Sequence, residues 1–115
     1  MWGAPTFVLV REDDVTPGER SAVELSCRQV GATLVLSGEL DVASASVAGA
    51  ALASPDVDTV DMAAVTFIDA AGVGVLLAAH QDPARRRGLR LRRPSRSVRR
   101  VLELTELEAT FPIVG

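Results

Sequence analysis

The chain has one cysteine and one histidine, and this scarcity restricts the chemistry open to it. Cys27 has no second cysteine to pair with, so an intrachain disulfide and a multi-cysteine zinc site are excluded. His80 lies far from Cys27 in the sequence, which disfavours a metal site or a Cys/His nucleophile. We expect His80 to be a satisfied imidazole or a cation near the C-terminal end of a helix. The sequence therefore predicts no metal, no cofactor and no catalytic residue, so the chain is not expected to be an enzyme.

Tyrosine is absent and aromatic residues make up 3% of the chain, so its core must be built from aliphatic side chains. Long apolar runs are missing as well. No segment approaches the ~18 consecutive apolar residues of a membrane span, and the N-terminus lacks a basic region followed by a long apolar stretch. We therefore expect no membrane insertion and a cytoplasmic location. A length of 115 residues suits one domain with a modest core.

Lysine is absent, and the 12 arginines are distributed unevenly along the chain. Residues 1–82 hold three arginines against twelve acids, whereas residues 83–100 hold nine arginines and no acid. Such a run could contact the phosphates of nucleic acid or of anionic lipid. However, no aromatic residue interleaves with these arginines to stack on bases. We therefore favour a solvated face with ion pairs to the acidic remainder, and we expect no specific binding of nucleic acid.

Apolar periodicity and cap residues predict an alternation of strands and helices, which is typical of an α/β domain. Strands are indicated by alternating or continuous apolar runs, and helices by an Asp or Ser cap followed by apolar residues at helical spacing. In chain order, the patterns predict a hairpin over 23–36, a helix over 42–53 capped by Asp41, a strand from Val60 to Ile68, a helix closed by Asp82 and Pro83, a strand around 89–91, a helix capped by Ser95 and an edge strand over 111–114.

The segment TFIDAAGVGVLL, residues 66–77, joins the end of the longest predicted strand to the start of an apolar helix. Asp69 stands just before that helix, where its carboxylate can accept backbone N–H groups and meet the positive end of the helix dipole. Gly72 and Gly74 allow the first turn to approach a neighbouring strand or a partner's backbone closely. They do not form a dinucleotide fingerprint, because Leu77 occupies the third glycine position.

Four segments in the same order as in a known family support a more specific interpretation. They are LSGELD at 36–41, VDTVDMAAVTFIDAAGVGVLL at 57–77, GLRLRRPSRSVRRVLELTEL at 88–107, and a closing FPIV. This pattern resembles the STAS domain of bacterial anti-sigma factor antagonists over roughly residues 22 to 114. The resemblance implies a single STAS-like α/β domain at 22–115, preceded by an N-terminal extension at 1–21. The implied sheet is mixed, with four to five strands and about three helices mainly on one face.

The resemblance also implies a function in protein binding. The partner would be an anti-sigma factor that is an ATP-dependent kinase, or a related regulatory ATPase, bound through the turn at 40–46 and the corner at 69–74. The alternative is an accessory STAS subunit of a lipid-transport ATPase. The sequence also allows a homodimer. Asp41 and Asp69 could instead serve only as helix caps. The implied partner-binding residues are Asp41, Ser44, Asp69, Ala70, Ala71, Gly72, Val73 and Gly74.

Three positions depart from the family pattern. Members regulated by phosphorylation typically carry serine or threonine directly after the FID aspartate, whereas this chain has Ala70, followed by Ala71. Neither alanine can accept a phosphoryl group, so the usual phosphorylation position is occupied by a non-acceptor. Glu106 stands where the family pattern leads us to expect glycine. If the backbone there is left-handed, glutamate costs about 1 kcal/mol relative to glycine.

The N-terminal extension contains apolar residues that are costly to leave in water. Trp2 and the run from Phe7 to Val10 are expected to dock on the domain or on a second copy, because burying a large apolar side chain gains roughly 1.5–3 kcal/mol. The acidic stretch at 11–20 contains proline and glycine and is predicted to be a loop.

Overall fold

The computed structural model describes the backbone of residues 6–10 and 24–115, and the side chains from Leu25 onward. Within these residues it forms a single α/β domain with a mixed sheet and three helices, which confirms the predicted fold class. The elements are β1 Thr6–Val10, β2 Glu24–Val30, β3 Thr33–Leu40, α1 Ala45–Leu52, β4 Thr59–Ile68, α2 Ala70–Gln81, β5 Arg90–Arg92, α3 Arg96–Leu104 and β6 Ile113–Val114.

The six strands lie in the sheet in their chain order, from β1 to β6. The pairs β1–β2 and β2–β3 are antiparallel, whereas β3, β4, β5 and β6 run parallel to one another. Five of these strands correspond to those predicted from the sequence pattern. The sixth, β1, falls within the predicted N-terminal extension and pairs with β2, so part of the extension joins the sheet. Trp2 lies outside the described residues, and the boundary near residue 22 stays a prediction.

The three helices cover one face of the sheet. Because β3 to β6 are parallel and consecutive, the right-handed crossovers that such connections almost always adopt place α1, α2 and α3 on the same side. Burial agrees with this placement, since one apolar cluster joins Leu36 and Val60 of the sheet to Leu52, Leu76 and Leu102 of the helices. Of the described helices, none is long and apolar enough to cross a bilayer.

Cys27 belongs to this core, where β2 faces the helices. Its side chain is fully buried and the thiol is free. Burial raises the pKa of the Cys27 thiol to about 11, so the group stays protonated at neutral pH. A buried, protonated thiol is a poor nucleophile, and Cys27 therefore acts here as a small apolar core residue.

After the end of α3, the backbone of Glu106 is left-handed, with a φ of 61°, so the condition under which glutamate is costly at this position is met. The Leu107 N–H donates to the Leu102 carbonyl at 2.8 Å, and the Glu106 N–H donates to the Glu103 carbonyl at 3.1 Å. These two hydrogen bonds form a Schellman motif, in which the left-handed position is usually glycine. Glutamate therefore carries a steric cost at this position that glycine would avoid.

Replacing Glu106 with glycine is therefore expected to stabilise the domain. We expect Glu106→Gly to raise the free energy of unfolding by about 1 kcal/mol, because the exposed side chain contributes little and the strain is removed. Urea denaturation followed by circular dichroism measures the change. Glu108→Gly, an exposed position without a left-handed backbone, is the control and should not stabilise. Equal or lower stability of Glu106→Gly would contradict the proposed strain.

Candidate functional site

The candidate site lies where the two central parallel strands end. Leu40, the last residue of β3, is in register with Ile68, the last residue of β4, so the segments that follow both strands lie side by side. The Asp69 N–H donates to the Leu40 carbonyl at 3.2 Å, which extends this pairing by one residue. In sheets of this kind, the loops at the carboxyl ends of parallel strands commonly carry function.

Asp69 joins the two segments through its side chain. One carboxylate oxygen, Oδ1, accepts the Gly72 N–H at 3.1 Å and caps α2, as predicted. The other oxygen, Oδ2, accepts the Val42 N–H at 3.2 Å, across 27 residues of sequence. The start of α2 and the turn after β3 are therefore held together by one carboxylate, and they form a single surface. The sequence predicted the cap, whereas the bond to Val42 depends on strand register and was not foreseen.

The turn after β3 is organised by Asp41 and Ser44. Asp41 Oδ1 accepts the N–H groups of Ala43 and Ser44 at 3.0 and 3.1 Å. Ser44 Oγ donates to the Glu39 carbonyl at 2.8 Å and accepts the Asp41 N–H at 2.9 Å. Because these bonds hold residues 41–44 in a turn, α1 starts at Ala45, three residues later than predicted. Asp41 therefore caps this turn, and the prediction that it caps the helix is wrong.

The eight predicted site residues divide by exposure. Within the described structure, the side chains of Asp41, Ser44 and Val73 are buried, and Gly72 is buried too, so these four shape the corner. Asp69 and Ala71 are half-buried, while Ala70 and Gly74 are exposed. The residues that a partner could touch directly are thus small, apart from the Asp69 carboxylate.

Gly72 is the glycine that close approach requires. A Cβ on Gly72 would lie 2.5 Å from the Leu40 carbonyl oxygen and 2.8 Å from Ile68 Cγ1. For Gly74, in contrast, no heavy atom of the described structure lies within 4 Å of the equivalent position, leaving aside its chain neighbours and the helix's own backbone. Close packing within the chain therefore explains why position 72 is a glycine, but it does not explain the glycine at position 74. Gly74 leaves open space on the exposed side of α2.

Two exposed apolar residues next to the corner were missed by the sequence analysis. Val42 is 75% exposed, and Phe67 is 47% exposed. Val42 was assigned to a helix that actually begins later, and Phe67 was assigned to a buried apolar run. Thr66, the neighbouring hydroxyl residue, lies within β4 and donates to the Gly38 carbonyl at 3.3 Å.

His80 is a satisfied imidazole, one of the two roles expected for it. Its Nδ1 accepts the Leu89 N–H at 2.9 Å, and its ring packs edge-on against Phe111 with centroids 5.0 Å apart. The left-handed Gly88 makes room for the ring, because a Cβ there would lie 2.4 Å from His80 Cε1. Among the residues the structure describes, no group of three or more His, Cys, Asp or Glu side chains could hold a metal ion.

The arginine run contributes ion pairs to the sheet face that lies opposite the helices. Arg93 Nη2 lies 2.6 Å from Asp61 Oδ2, and Arg92 Nε lies 4.0 Å from the same oxygen. Burial alone would raise the pKa of Asp61. The hydrogen bonds from Arg93 and the Ala63 N–H, with the charges of both arginines, outweigh burial and hold that pKa below its ordinary value. These two arginines thus neutralise a buried carboxylate.

The described geometry agrees with comparisons to known proteins. The family model described as "Mlab, STAS domain" matches residues 23–115, so the chain belongs to the STAS domain family. No curated protein matches the sequence significantly. Among solved structures, an anti-sigma factor antagonist from Mycobacterium paratuberculosis is 22% identical with a TM-score of 0.63, and the match covers 96% of this chain and 86% of that one.

Two solved structures of the anti-sigma factor antagonist SpoIIAA are also similar to this chain. The unphosphorylated form is 24% identical with a TM-score of 0.60, over 79% of this chain and 88% of that one. The phosphorylated form of this Bacillus cell fate determinant is 22% identical with a TM-score of 0.54, over 79% and 91%. At these identities the likeness establishes a shared fold, which is that of anti-sigma factor antagonists.

Proposed function

We propose that this STAS domain is a protein-binding regulator that contacts an anti-sigma factor kinase, or a related regulatory ATPase, through the turn at 40–46 and the corner at 69–74. The function is binding and not catalysis, and it operates without phosphorylation at the corner. The observation that carries the proposal is the double hydrogen bonding of Asp69, which makes two segments distant in sequence into one surface. A surface fixed in this way is preorganised, which lowers the entropic cost of binding a partner. A cytoplasmic location follows from such a partner.

The absence of a hydroxyl at the corner supports independence from phosphorylation. Ala70 is exposed at the first position of α2, and Ala71 follows it half-buried. SpoIIAA exists in phosphorylated and unphosphorylated forms. A phosphoryl group would add about −1.5 to −2 charges beside Asp69, and this chain cannot acquire that charge at Ala70 or Ala71. In our proposal, the surface therefore remains competent to bind in the presence of active kinase.

Introducing a negative charge at Ala70 is expected to weaken partner binding. We expect Ala70→Asp to raise the Kd for a purified anti-sigma factor kinase of the same organism at least tenfold, because a charged side chain at this exposed position must be desolvated when the partner covers it. Isothermal titration calorimetry gives the Kd, and thermal denaturation checks the fold. Ala70→Ser adds a hydroxyl without charge and should bind within about twofold of wild type.

Ala50→Asp is the matched control for charge. Ala50 is also an exposed helical alanine, but it lies near the other end of α1. The Ala50→Asp variant should bind the kinase with a Kd within about twofold of the wild-type value. Equal losses for Ala70→Asp and Ala50→Asp would indicate a general charge effect, and no loss for either would place the interface elsewhere.

An affinity purification from the native cell, with the whole chain as bait, tests the partner class. Recovery of an anti-sigma factor kinase with wild type, and its loss with Ala70→Asp, would support the proposal. Recovery of a lipid-transport ATPase would favour an accessory subunit instead.

A further inference from the structure

Phe67 lies on the sheet face that the helices leave uncovered. Leu40 and Ile68 are paired and point into the core, so the preceding pair, Glu39 and Phe67, points to the opposite face. Phe67 is 47% exposed, whereas Phe111 is buried. Leaving a large aromatic side chain half in water forgoes part of the roughly 1.5–3 kcal/mol that full burial gains. Phe67 therefore presents an exposed aromatic ring two positions before Asp69.

Val42 forms the second exposed apolar group at this corner. Its side chain is 75% exposed, while its N–H is fixed by Asp69 Oδ2. The backbone carrying this side chain is therefore held in place, although the side chain packs on little of the described structure. Val42 and Phe67 thus belong to the two neighbouring strand ends that Asp69 joins. Rigid apolar groups of this kind are typical anchors of protein interfaces.

The two strand ends that carry these residues hold more carboxylates than arginines. Residues 33–81, which supply β3, α1, β4 and α2, contain six carboxylates and neither arginine nor lysine. One of the six, Asp61, is paired with Arg93, which belongs to a later part of the chain. Of the other five, Glu39, Asp41 and Asp69 belong to the strand ends, whereas two lie before the opposite end of β4. The exposed Arg96 also belongs to these surroundings, because its neighbour Ser97 donates through Oγ to the Thr66 carbonyl at 3.1 Å. The strand ends thus hold three carboxylates against one arginine. Charge complementarity therefore favours a partner whose contact surface is basic.

We propose that Phe67 and Val42 are the apolar anchors of the partner-binding surface and that they insert into an apolar recess bordered by arginine or lysine on the partner. The proposal rests on the function proposed above and adds the chemistry of recognition. The anchors supply buried apolar area, and the carboxylates at the strand ends orient the basic rim of the recess. Specificity for a partner then depends on side chains that lie outside the position of the usual phosphoryl acceptor.

Serine substitutions test the anchors against the purified anti-sigma factor kinase of the same organism. Phe67→Ser is expected to raise the Kd at least tenfold and Val42→Ser about three- to tenfold, whereas Phe67→Leu should recover most of the affinity. Val30→Ser is the matched control, because Val30 is 54% exposed at the far end of the same sheet. The Kd of the Val30→Ser variant should stay within about twofold of the wild-type value. Melting temperatures of all variants confirm that the fold survives.

The outcomes separate the inference from the proposed function. If wild type binds, Ala70→Asp does not, and Phe67→Ser binds like wild type, the corner is the interface but the anchor inference is wrong. If wild type itself does not bind the kinase, both are overturned. A Kd that is unchanged between 50 and 500 mM NaCl would contradict the basic rim, since surface charge pairs are screened by salt.

Discussion

Gly72→Val is expected to cause one of the largest losses of stability that a single substitution can produce in this domain. The first atom of the new side chain would lie 2.5 Å from the Leu40 carbonyl oxygen and 2.8 Å from Leu40 Cγ. The carbonyl belongs to the backbone of β3, so it cannot move aside as a flexible side chain would. We expect the free energy of unfolding to fall by about 3 kcal/mol or more. Chemical denaturation followed by circular dichroism at the helix band measures this loss.

Gly74→Ala is the matched control for Gly72→Val, two residues further along α2. Since the described structure leaves open space around a Cβ at Gly74, alanine should stabilise the helix by roughly 0.5–1 kcal/mol. Opposite signs at two neighbouring glycines would identify close approach to β3 as the cause. A stable Gly72→Val variant would show that α2 can move away from β3, and the interpretation of Gly72 would then be wrong.

Local rules were sufficient to predict most of the fold and part of the site. Asp69 and Ser95 accept the N–H groups of Gly72 and Val98, as their positions before apolar helical patterns indicated. Glu106 was also singled out, as a departure from a sequence pattern in which glycine is expected, and its backbone is left-handed. Each of these features depends on residues within a few positions of one another, so sequence alone contains the necessary information.

Features that depend on register between strands could not be predicted in this way. Between Val35 and Ser37 on β3, the partner strand β4 advances from Asp61 to Ala64, so β4 holds one extra residue. A second shift follows before Phe67. The first bulge turns Val65 into the core, and the second restores the alternation that begins at Val60, so Phe67 lies on the same face as Asp61 although it belongs to an apolar run.

The placement of α1 and α2 depends on long-range bonds at both ends of the pair. At the strand ends, Asp69 holds the turn before α1 to the first turn of α2. At the other end, the guanidinium of Arg85 donates to the Leu52 carbonyl at the end of α1 and to the Ala79 carbonyl in the last turn of α2. Helix ends lack intrahelical partners for their last carbonyls, so a side chain that bonds to two helices at once fixes their separation. The proposed binding surface therefore depends on Arg85 as well as on Asp69.

Arg85→Ala is accordingly expected to destabilise the domain strongly. Arg85 Nε donates to the Val57 carbonyl at 2.9 Å, Nη1 donates to Ala79 at 2.9 Å, and Nη2 donates to Leu52 and Ser54 at 2.8 and 3.1 Å. Hydrogen bonds from a charged donor each contribute about 1.5–3 kcal/mol, but bonds from one group are not additive. We expect the free energy of unfolding to fall by about 3 kcal/mol, measured by urea denaturation.

Two further variants separate the geometry of the Arg85 side chain from its charge. Arg85→Lys keeps the charge but loses the planar fork that reaches four carbonyls, so it should recover less than half of the loss. Arg86→Ala is the control, because it removes an equal charge from a neighbouring exposed residue for which the described structure shows no partner. It should change the free energy of unfolding by no more than about 0.5 kcal/mol. If Arg85→Ala and Arg86→Ala had equal effects, the carbonyl bonds of Arg85 would not stabilise the helix pair. The separation of α1 and α2 would then have to be set by core packing alone.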